Sequence, residues 1–220
     1  MIIPSVIASS QSEFEERLAK VAFLDCVHID VMDGKFVTQK SFQFDVDYTV
    51  LHNFAYVEVH LMVAQPLLYL EKHRDLFLKA TKIIVHCECN IEDVVALTRE
   101  YHKLISIAIN PSTPYTTVLN VARLYAIPEI LVMTVNPGKY GSPFLPQMLS
   151  RISQLATECT IECDGSMNEL TIQKAVSRGA SHFVVGSVLQ NATDVNAQSR
   201  ALIAASQSQE SPQELAEHTI

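Results

Sequence analysis

The chain is poor in basic residues. Its 16 lysines and arginines stand against 24 aspartates and glutamates, which gives a formal net charge of −8. The basic residues form neither a stripe nor a block along the sequence. Proteins that bind nucleic acid or an anionic membrane surface ordinarily carry such a patch. The charge pattern therefore argues against both kinds of partner and favours a small polar substrate.

Long apolar segments are also missing. No uninterrupted apolar run is long enough to span a bilayer, and no charged-then-apolar leader opens the sequence. We therefore expect a cytoplasmic protein without a membrane partner.

The cysteines lack the spacing of a functional motif. None of the five forms the C-x-x-C pair that is typical of zinc knuckles and redox sites. We interpret them as reduced, structural thiols; they are Cys26, Cys87, Cys89, Cys159 and Cys163.

What the chain does have is enough apolar material for one large core. Its 220 residues are 48% hydrophobic, and this length fits a single α/β barrel. We assign residues 1–206 to one domain and residues 207–220 to a polar, peripheral tail.

Short β-branched runs alternate with amphipathic stretches along the chain, which predicts parallel strands separated by helices. The predicted strands are residues 2–6, 26–31, 56–61, 82–87, 105–109, 130–135, 160–163 and 182–185. The predicted helices are residues 12–22, 66–77, 91–101, 115–125, 144–155, 168–178 and 193–205. Residues 36–53 lack a convincing strand and are expected to form a loop and a helix. Eight such units predict a closed (β/α)8 barrel, whose active site lies at the carboxyl ends of its strands.

Residues that typically start or end helices support this assignment. Ser12, with Glu15 three residues on, has the pattern of a helix start, and so do Pro66 and Asn168. Gly179 is placed to end the helix before the last strand.

Two histidines and two aspartates lie at predicted strand ends. His28 and Asp30 are two residues apart and therefore point to the same face of one strand. His60 and Asp164 end two other strands. Together these side chains predict a divalent-metal site that also carries acid/base groups.

Several strings, in order from residue 2 to residue 189, resemble the ribulose-phosphate 3-epimerase family. The most specific are H-x-D-V-M-D-G at residues 28–34 and V-M-T-V-N-P-G at residues 132–138. Shorter matches are Pro4-Ser5, His60-Leu61-Met62, Asn110-Pro111 and Asp164-Gly165.

The resemblance implies a TIM barrel of the ribulose-phosphate-binding type that inverts carbon 3 of a ketose phosphate. It implies that His28, Asp30, His60 and Asp164 hold one divalent ion, which is zinc, iron, manganese or cobalt. Asp30 and Asp164 would be the catalytic acid and base. D-ribulose 5-phosphate is the substrate we favour, and D-allulose 6-phosphate is its rival. A homo-oligomer, either a dimer or a hexamer, is consistent with the same resemblance.

Substrate contacts divide into two groups. The resemblance places Ser5, Met32, His60, Met62 and Met133 around the sugar. Glycine-bearing turns after the sixth, seventh and eighth strands are expected to hold the phosphate, because backbone N–H groups can approach an anion closely there. The candidates are Gly138, Gly141, Gly165, Ser166, Gly186 and Ser187.

The chain departs from the family pattern around this site. Its 138–142 loop contains Lys139 and Tyr140 in place of an apolar residue and a glycine, and Ser166 replaces the second glycine of D-G-G. Residues 36–39 read F-V-T-Q in place of F-V-P-N, and Ala8 replaces a serine. The D-G-S string resembles the variant of allulose-6-phosphate 3-epimerases.

Two other functions remain open. A related barrel is a decarboxylase with a lysine in a D-x-K-x-x-D pattern, but this chain has His28-Ile29-Asp30 on the corresponding strand. A sugar-phosphate-binding barrel without catalysis would be expected to lose some of the four site residues. His86, which lies near the end of the predicted strand 82–87, has no metal role in the family pattern, and we interpret it as structural.

Overall fold

The computed structural model describes residues 1–138 and 141–208. Within these residues the chain forms eight β-strands. They are β1 (Ile2–Val6), β2 (Cys26–Met32), β3 (Tyr56–Met62), β4 (Lys82–His86), β5 (Leu104–Ile109), β6 (Glu129–Met133), β7 (Thr160–Asp164) and β8 (Ala180–Val185).

Helices separate these strands throughout the described ranges. They are α1 (Gln11–Val21), α2 (Pro66–Lys72), α3 (Arg74–Lys79), α4 (Glu92–Glu100), α5 (Tyr115–Tyr125), α6 (Met148–Leu155), α7 (Glu169–Val176), α8 (Ser187–Gln190) and α9 (Val195–Gln207). Two 3₁₀ turns, Ala22–Leu24 and Tyr48–Asn53, complete the set. The second of these is the helix expected within residues 36–53.

The strands close into one parallel barrel in sequence order. Each strand pairs with the next, and β8 pairs with β1 through Ile3 and Val184. The predicted (β/α)8 barrel is therefore confirmed. All carboxyl strand ends consequently open on the same face of the molecule, which is where this fold builds active sites.

Side chains alternate between two environments along each strand. On β2, Val27, Ile29 and Val31 belong to the apolar core that also contains helix residues such as Phe14 of α1. His28 and the residues in its layer face the barrel interior instead, as a period of two requires. The apolar layer between strands and helices holds the barrel together and leaves part of its interior for polar groups.

Four helix predictions differ from the structure. The helix predicted over residues 144–155 begins only at Met148, and α8 (Ser187–Gln190) was not predicted. The first helix is capped by Ser10, whose side chain accepts the N–H of Glu13, and not by Ser12. The helix predicted over residues 66–77 is two helices, because His73 between them has φ −110° and ψ 54°. None of these differences moves a strand end. Two strands are shorter than predicted, because β4 ends at His86 and β6 ends at Met133, one and two residues before their predicted ends.

The other residues predicted to start or end helices are confirmed in these positions. Pro66 occupies the first turn of α2, and Asn168 caps α7 in a reciprocal capping box with Thr171. Gly179 has φ +98° just before β8, a conformation that glycine adopts without strain.

The last helix ends close to the boundary predicted between the domain and the tail. Helix α9 continues to Gln207, so the predicted tail of residues 207–220 begins inside a helix. Residues 209–220, Lys139 and Tyr140 lie outside the described residues. Among the residues that are described, no helix has the length and apolar character needed to cross a membrane.

Candidate active site

The four predicted metal ligands meet at the carboxyl end of the barrel. His28 and Asp30 lie on β2, His60 on β3 and Asp164 at the end of β7, and one ligand atom from each falls within 4.8 Å of the others. Strand pairing sets Asp30 directly beside His60. The sequence brings these residues together because the barrel aligns the strand ends.

The shortest contacts of this group converge on Asp30. Its Oδ1 atom lies 3.2 Å from His28 Nε2 and 3.1 Å from His60 Nδ1. His60 Nδ1 also lies 3.6 Å from Asp164 Oδ2. Both histidines are fully buried, whereas Asp164 keeps 13% of its side chain exposed. The two carboxylates thus border a space that is open to a ligand.

The two aspartates have opposite electrostatic environments. Burial raises the pKa of Asp30, but His28 and His60 outweigh this effect and hold the pKa below its usual range. Burial and then the charge of Asp30 raise the pKa of Asp164 to about 7. Two titratable groups whose pKa values are driven apart are a frequent arrangement for an acid and a base.

The donor set fits a divalent cation on chemical grounds. Two imidazole nitrogens and two carboxylates suit zinc, iron, manganese or cobalt. Two buried carboxylates in one site repel each other, and a cation between them removes that repulsion. His28 Nδ1 is 3.0 Å from Glu58 Oε2, which leaves Nε2 facing the site. A carboxylate on the far nitrogen of a histidine is a common support for a metal ligand.

A pocket lies directly above the four residues. Asp30 and Asp164 form part of its lining, whereas His28 and His60 lie beneath it. All predicted substrate residues except His60 line this pocket; they are Ser5, Met32, Met62, Met133, Gly138, Gly141, Gly165, Ser166, Gly186 and Ser187. The predicted sugar and phosphate residues therefore share one cavity.

Methionines form the apolar wall of the pocket. Met32 and Met62 pair across β2 and β3 and pack with Val37. Met133 belongs to a separate apolar cluster with Val135 and Val184. Thioether side chains can line a dry pocket and adapt to the shape of its ligand.

Glycines form close turns beside the apolar residues that line the pocket. Gly165 has φ +113°, and a Cβ atom there would lie 2.4 Å from Val135 Cγ2. Gly138 has φ +82°, and a Cβ atom there would lie 2.5 Å from Val37 Cβ. Ser166 ties two turns together by donating its hydroxyl to the carbonyl oxygen of Ser142, 2.5 Å away. The backbone of these turns therefore lies directly at the pocket surface.

A buried layer of charge lies beneath the four residues, and the sequence analysis did not predict it. Lys82 Nζ lies 2.6 Å from Glu162 Oε2 and also contacts Glu58 and Glu129. Glu162 Oε1 is in turn 3.7 Å from His28 Nδ1. His28, Glu58 and Glu162 could hold a second cation by distance alone, but the Lys82 ammonium already supplies positive charge there.

Signals for this layer exist in the sequence. Glu58 stands two residues before His60, and Glu162 stands two residues before Asp164, so each shares a strand face with a site residue. The layer was missed because Lys82 finds its partners on three other strands, and no local pattern predicts such contacts.

His86 has contacts that the sequence did not predict. It was interpreted as structural, but its Nε2 atom lies 3.0 Å from His60 Nε2 and its Nδ1 atom lies 3.2 Å from Glu88 Oε2. His86 is fully buried at the end of β4. It therefore contacts a predicted metal ligand directly.

Comparisons with known proteins identify a family and several relatives of this chain. The model of the ribulose-phosphate 3 epimerase family matches residues 1–190. Ribulose-phosphate 3-epimerase of Mycobacterium leprae is 31% identical over 212 residues, which cover 92% of this chain and 93% of that protein. The protein of the same name from Synechocystis sp. is 32% identical over 208 residues, which cover 87% of this chain and 88% of that protein.

Solved structures resemble the chain at the level of the fold. The 3-hexulose-6-phosphate synthase of Salmonella typhimurium has a TM-score of 0.68 and 12% identity, covering 93% of this chain and 97% of that one. KGPDC from Streptococcus mutans has a TM-score of 0.69 and 9% identity, covering 93% of this chain and 96% of that one. At these identities the likeness supports the barrel and nothing finer.

Proposed function

The chain belongs to the ribulose-phosphate 3-epimerase family, whose relatives are isomerases that act on carbohydrates, and we propose that it interconverts D-ribulose 5-phosphate and D-xylulose 5-phosphate. The observation that carries this proposal is the pair formed by Asp30 and Asp164. They approach one pocket from β2 and β7, and their pKa values are displaced in opposite directions. An epimerase that uses two acid/base groups needs such a pair.

The residues that would hold a divalent cation are His28, His60, Asp30 and Asp164. His28 would bind through Nε2 and His60 through Nδ1, because these atoms face the aspartates. A cation bound there supplies Lewis-acid stabilisation of the negative charge that develops on the substrate oxygens. Zinc, iron, manganese and cobalt all suit these donors.

Proton transfer is the work of the two aspartates. The C3–H bond breaks, its proton passes to one carboxylate, and the bonding electrons move toward the neighbouring carbonyl to give an enediolate. The other aspartate returns a proton to the opposite face of carbon 3, which restores the carbonyl and completes the inversion. Without a cation, the lowered pKa leaves Asp30 ionised, and the raised pKa lets Asp164 hold a proton near neutral pH, so the pair can begin with one member able to receive a proton and the other able to supply one.

After one turnover the two aspartates have exchanged protonation states. That state is the one required for reaction of the other epimer. Which aspartate acts as base therefore depends on the direction of the reaction, and the pair titrates as a unit.

The rest of the pocket would orient the substrate. Ser5 and the methionines 32, 62 and 133 would surround the sugar carbons and keep water from the reacting bond. The turns that carry Gly138, Gly141, Gly165, Ser166, Gly186 and Ser187 would receive the phosphate. An elongated substrate would then have its phosphate at one end of the pocket and carbon 3 at the aspartates.

A hexulose phosphate is the second candidate substrate. Ser166, in place of a second glycine, lines the pocket and has φ +52°. Its hydroxyl binds the turn that carries Ser142, which gives this wall a shape that a glycine would not fix. We therefore retain D-allulose 6-phosphate as the rival of the pentulose.

Decarboxylation is less well supported. The lysine inside the barrel, Lys82, has its ammonium among three glutamates beneath the aspartates. A decarboxylase of the related type would need a lysine at the level of Asp30.

We further propose that the protein is cytoplasmic and acts as a homo-oligomer, either a dimer or a hexamer. Sedimentation equilibrium would measure the number of subunits.

NMR in deuterated water tests the proposed reaction. Protein loaded with a measured amount of Zn²⁺ or Mn²⁺ is mixed with D-ribulose 5-phosphate, and both deuterium entry at carbon 3 and formation of D-xylulose 5-phosphate are followed. Exchange together with conversion is expected. If the protein converts D-allulose 6-phosphate but not D-ribulose 5-phosphate, the hexulose phosphate is its substrate. Release of carbon dioxide would indicate a lyase, and binding without either reaction would indicate a non-catalytic barrel.

A further inference from the structure

The inference concerns His60, whose two ring nitrogens have different neighbours. Nδ1 faces Asp30 at 3.1 Å, within the proposed cation site. Nε2 points away from the site and lies 3.0 Å from Nε2 of His86. The two rings are inclined by only 19°, with centroids 5.1 Å apart, so they are nearly coplanar and meet edge to edge. This is the geometry of a hydrogen bond in which one ring donates and the other accepts.

Only one direction of this hydrogen bond is compatible with a cation at Nδ1. A ring nitrogen that binds a cation carries no proton, so a neutral His60 must carry its proton on Nε2. His60 then donates to His86 Nε2, and His86 must carry its own proton on Nδ1. In the reverse arrangement His86 donates, and the proton of His60 lies on Nδ1, where it blocks the cation.

Glu88 favours the first arrangement. Its Oε2 atom lies 3.2 Å from His86 Nδ1 and, when ionised, can only accept a hydrogen bond. Burial raises the pKa of Glu88, but hydrogen bonds from His86, Thr113 and the backbone of Asn110 outweigh it and lower the pKa to about 2. A carboxylate at this position therefore favours the proton of His86 on Nδ1. In the metal-free protein Asp30 Oδ1, which lies 3.1 Å from His60 Nδ1, favours the second arrangement, so the two carboxylates compete for the tautomer of His60.

The position of Glu88 is itself fixed. Its other oxygen, Oε1, accepts the backbone N–H of Asn110 at 3.0 Å and the hydroxyl of Thr113 at 2.5 Å. The ring of Phe36 lies over His86 with centroids 4.6 Å apart. Glu88 and His86 thus have no need to reorganise in order to hold His60.

We propose that His86 and Glu88 are positioning residues that bias the tautomer of His60 towards a proton on Nε2 and thereby strengthen cation binding. This inference rests on the proposed function, because it assumes that His60 binds a cation through Nδ1. Neither residue lines the pocket, so both act through His60 and not on the substrate.

The variant Glu88→Gln tests the direction of the hydrogen bonds with little change of shape. The introduced amide oxygen is expected to keep the place of Oε1, because the backbone N–H of Asn110 is a fixed donor. The amide nitrogen then faces His86 Nδ1 and donates to it. His86 is forced to carry its proton on Nε2, which moves the proton of His60 onto Nδ1.

Two measurements report this change. The first is the ¹⁵N chemical shifts of the His60 ring in the metal-free protein, which distinguish a proton on Nε2 from one on Nδ1. The second is the Zn²⁺ dissociation constant from competition with a chelator. We expect Glu88→Gln to shift the tautomer of His60 towards a proton on Nδ1 and to weaken Zn²⁺ binding by about 10- to 100-fold, the usual effect of losing an outer partner of a metal ligand. Glu71 is exposed, so Glu71→Gln is the matched control and should alter neither quantity.

A double-mutant cycle shows whether Glu88 affects Zn²⁺ binding through His86 or through a general loss of packing. His86→Phe keeps an aromatic ring but removes both nitrogens, so Glu88 can no longer act on His60. Glu88→Gln should then weaken Zn²⁺ binding little further in the His86→Phe background. Additive losses would overturn the proposal, and so would a Glu88→Gln protein with unchanged tautomer and unchanged Zn²⁺ affinity. If His86→Phe fails to fold, the ¹⁵N shifts of Glu88→Gln alone still decide.

Failure of this inference is distinguishable from failure of the proposed function. A wild-type protein that binds Zn²⁺ at His60 but does not epimerise would reject the function and leave the positioning role intact. An active wild-type enzyme whose Glu88→Gln variant keeps its affinity and tautomer would reject only the positioning role. A wild-type protein that binds no divalent cation through His60 would overturn the inference itself.

Discussion

Lys82 Nζ lies 2.6 Å from Glu162 Oε2 inside the barrel, beneath the candidate active site. The same ammonium contacts Glu58 and Glu129, and Lys82 is only 2% exposed. Interior charge in a barrel must be paired, since a buried carboxylate without a partner is costly. Glu58 contacts both the Lys82 ammonium and His28 Nδ1. The charge of Lys82 therefore stabilises the barrel and also the carboxylate that holds His28 in place.

Replacing this lysine should destabilise the protein strongly. Lys82→Met leaves buried glutamates without their cation, and we expect the free energy of unfolding to fall by about 3–5 kcal/mol. Urea denaturation of the metal-free protein measures the change. Lys20→Met is the control, because Lys20 forms an exposed pair with Glu16 whose loss should cost below about 1 kcal/mol. Equal effects of the two substitutions would contradict the role assigned to Lys82.

The two turns that face the pocket offer a matched pair of glycine substitutions. Gly165→Ala places a Cβ atom 2.4 Å from Val135 Cγ2 at φ +113°, whereas Gly141→Ala, at φ +73°, meets none of the described residues within 4 Å. Both substitutions strain the backbone, but only the first also overpacks the turn, at an added cost of about 1–3 kcal/mol. Thermal unfolding of the two variants compares them. A Gly165→Ala protein as stable as Gly141→Ala would show that the close approach is not required.

Cation binding should weaken in acid. Burial and the charge of Asp30 raise the pKa of Asp164 to about 7, so below that pH a cation competes with a proton for this carboxylate. Above pH 7 the carboxylate is already ionised and the competition disappears. From this proton alone, Zn²⁺ affinity should be about tenfold weaker at pH 6 than at pH 8, and the raised pKa of His28, which must also lose a proton to bind, makes the loss larger. Chelator competition at the two pH values gives the ratio, and an affinity that rises in acid would contradict the raised pKa.

Much of the fold and the location of the site follow from local sequence patterns. The period of two on β2 predicts that His28 and Asp30 share a face, and the barrel then brings His60 and Asp164 to the same end. The starts of two helices were predicted correctly from single residues, Pro66 for α2 and Asn168 for α7. These features are predictable because each depends on residues that are close in the sequence.

The features that were missed depend on contacts between distant residues. Lys82 is 80 residues from Glu162, and His86 is 26 residues from His60. A lysine or histidine in an apolar strand has no pattern of its own that identifies its partner. The break at His73 was missed for a related reason, because the apolar spacing of residues 66–77 continues through it.

The most direct test of the two-aspartate reaction is deuterium exchange at carbon 3 by Asp30→Asn and Asp164→Asn, each with its metal content measured. Each variant is given D-ribulose 5-phosphate and D-xylulose 5-phosphate in turn. We expect conversion to fall by at least about 100-fold in both variants. Each should still exchange the C3 proton of one epimer, and the two variants should differ in which one. Conversion near the wild-type rate in either variant, or exchange of the same epimer by both, would contradict proton transfer by two aspartates on opposite faces.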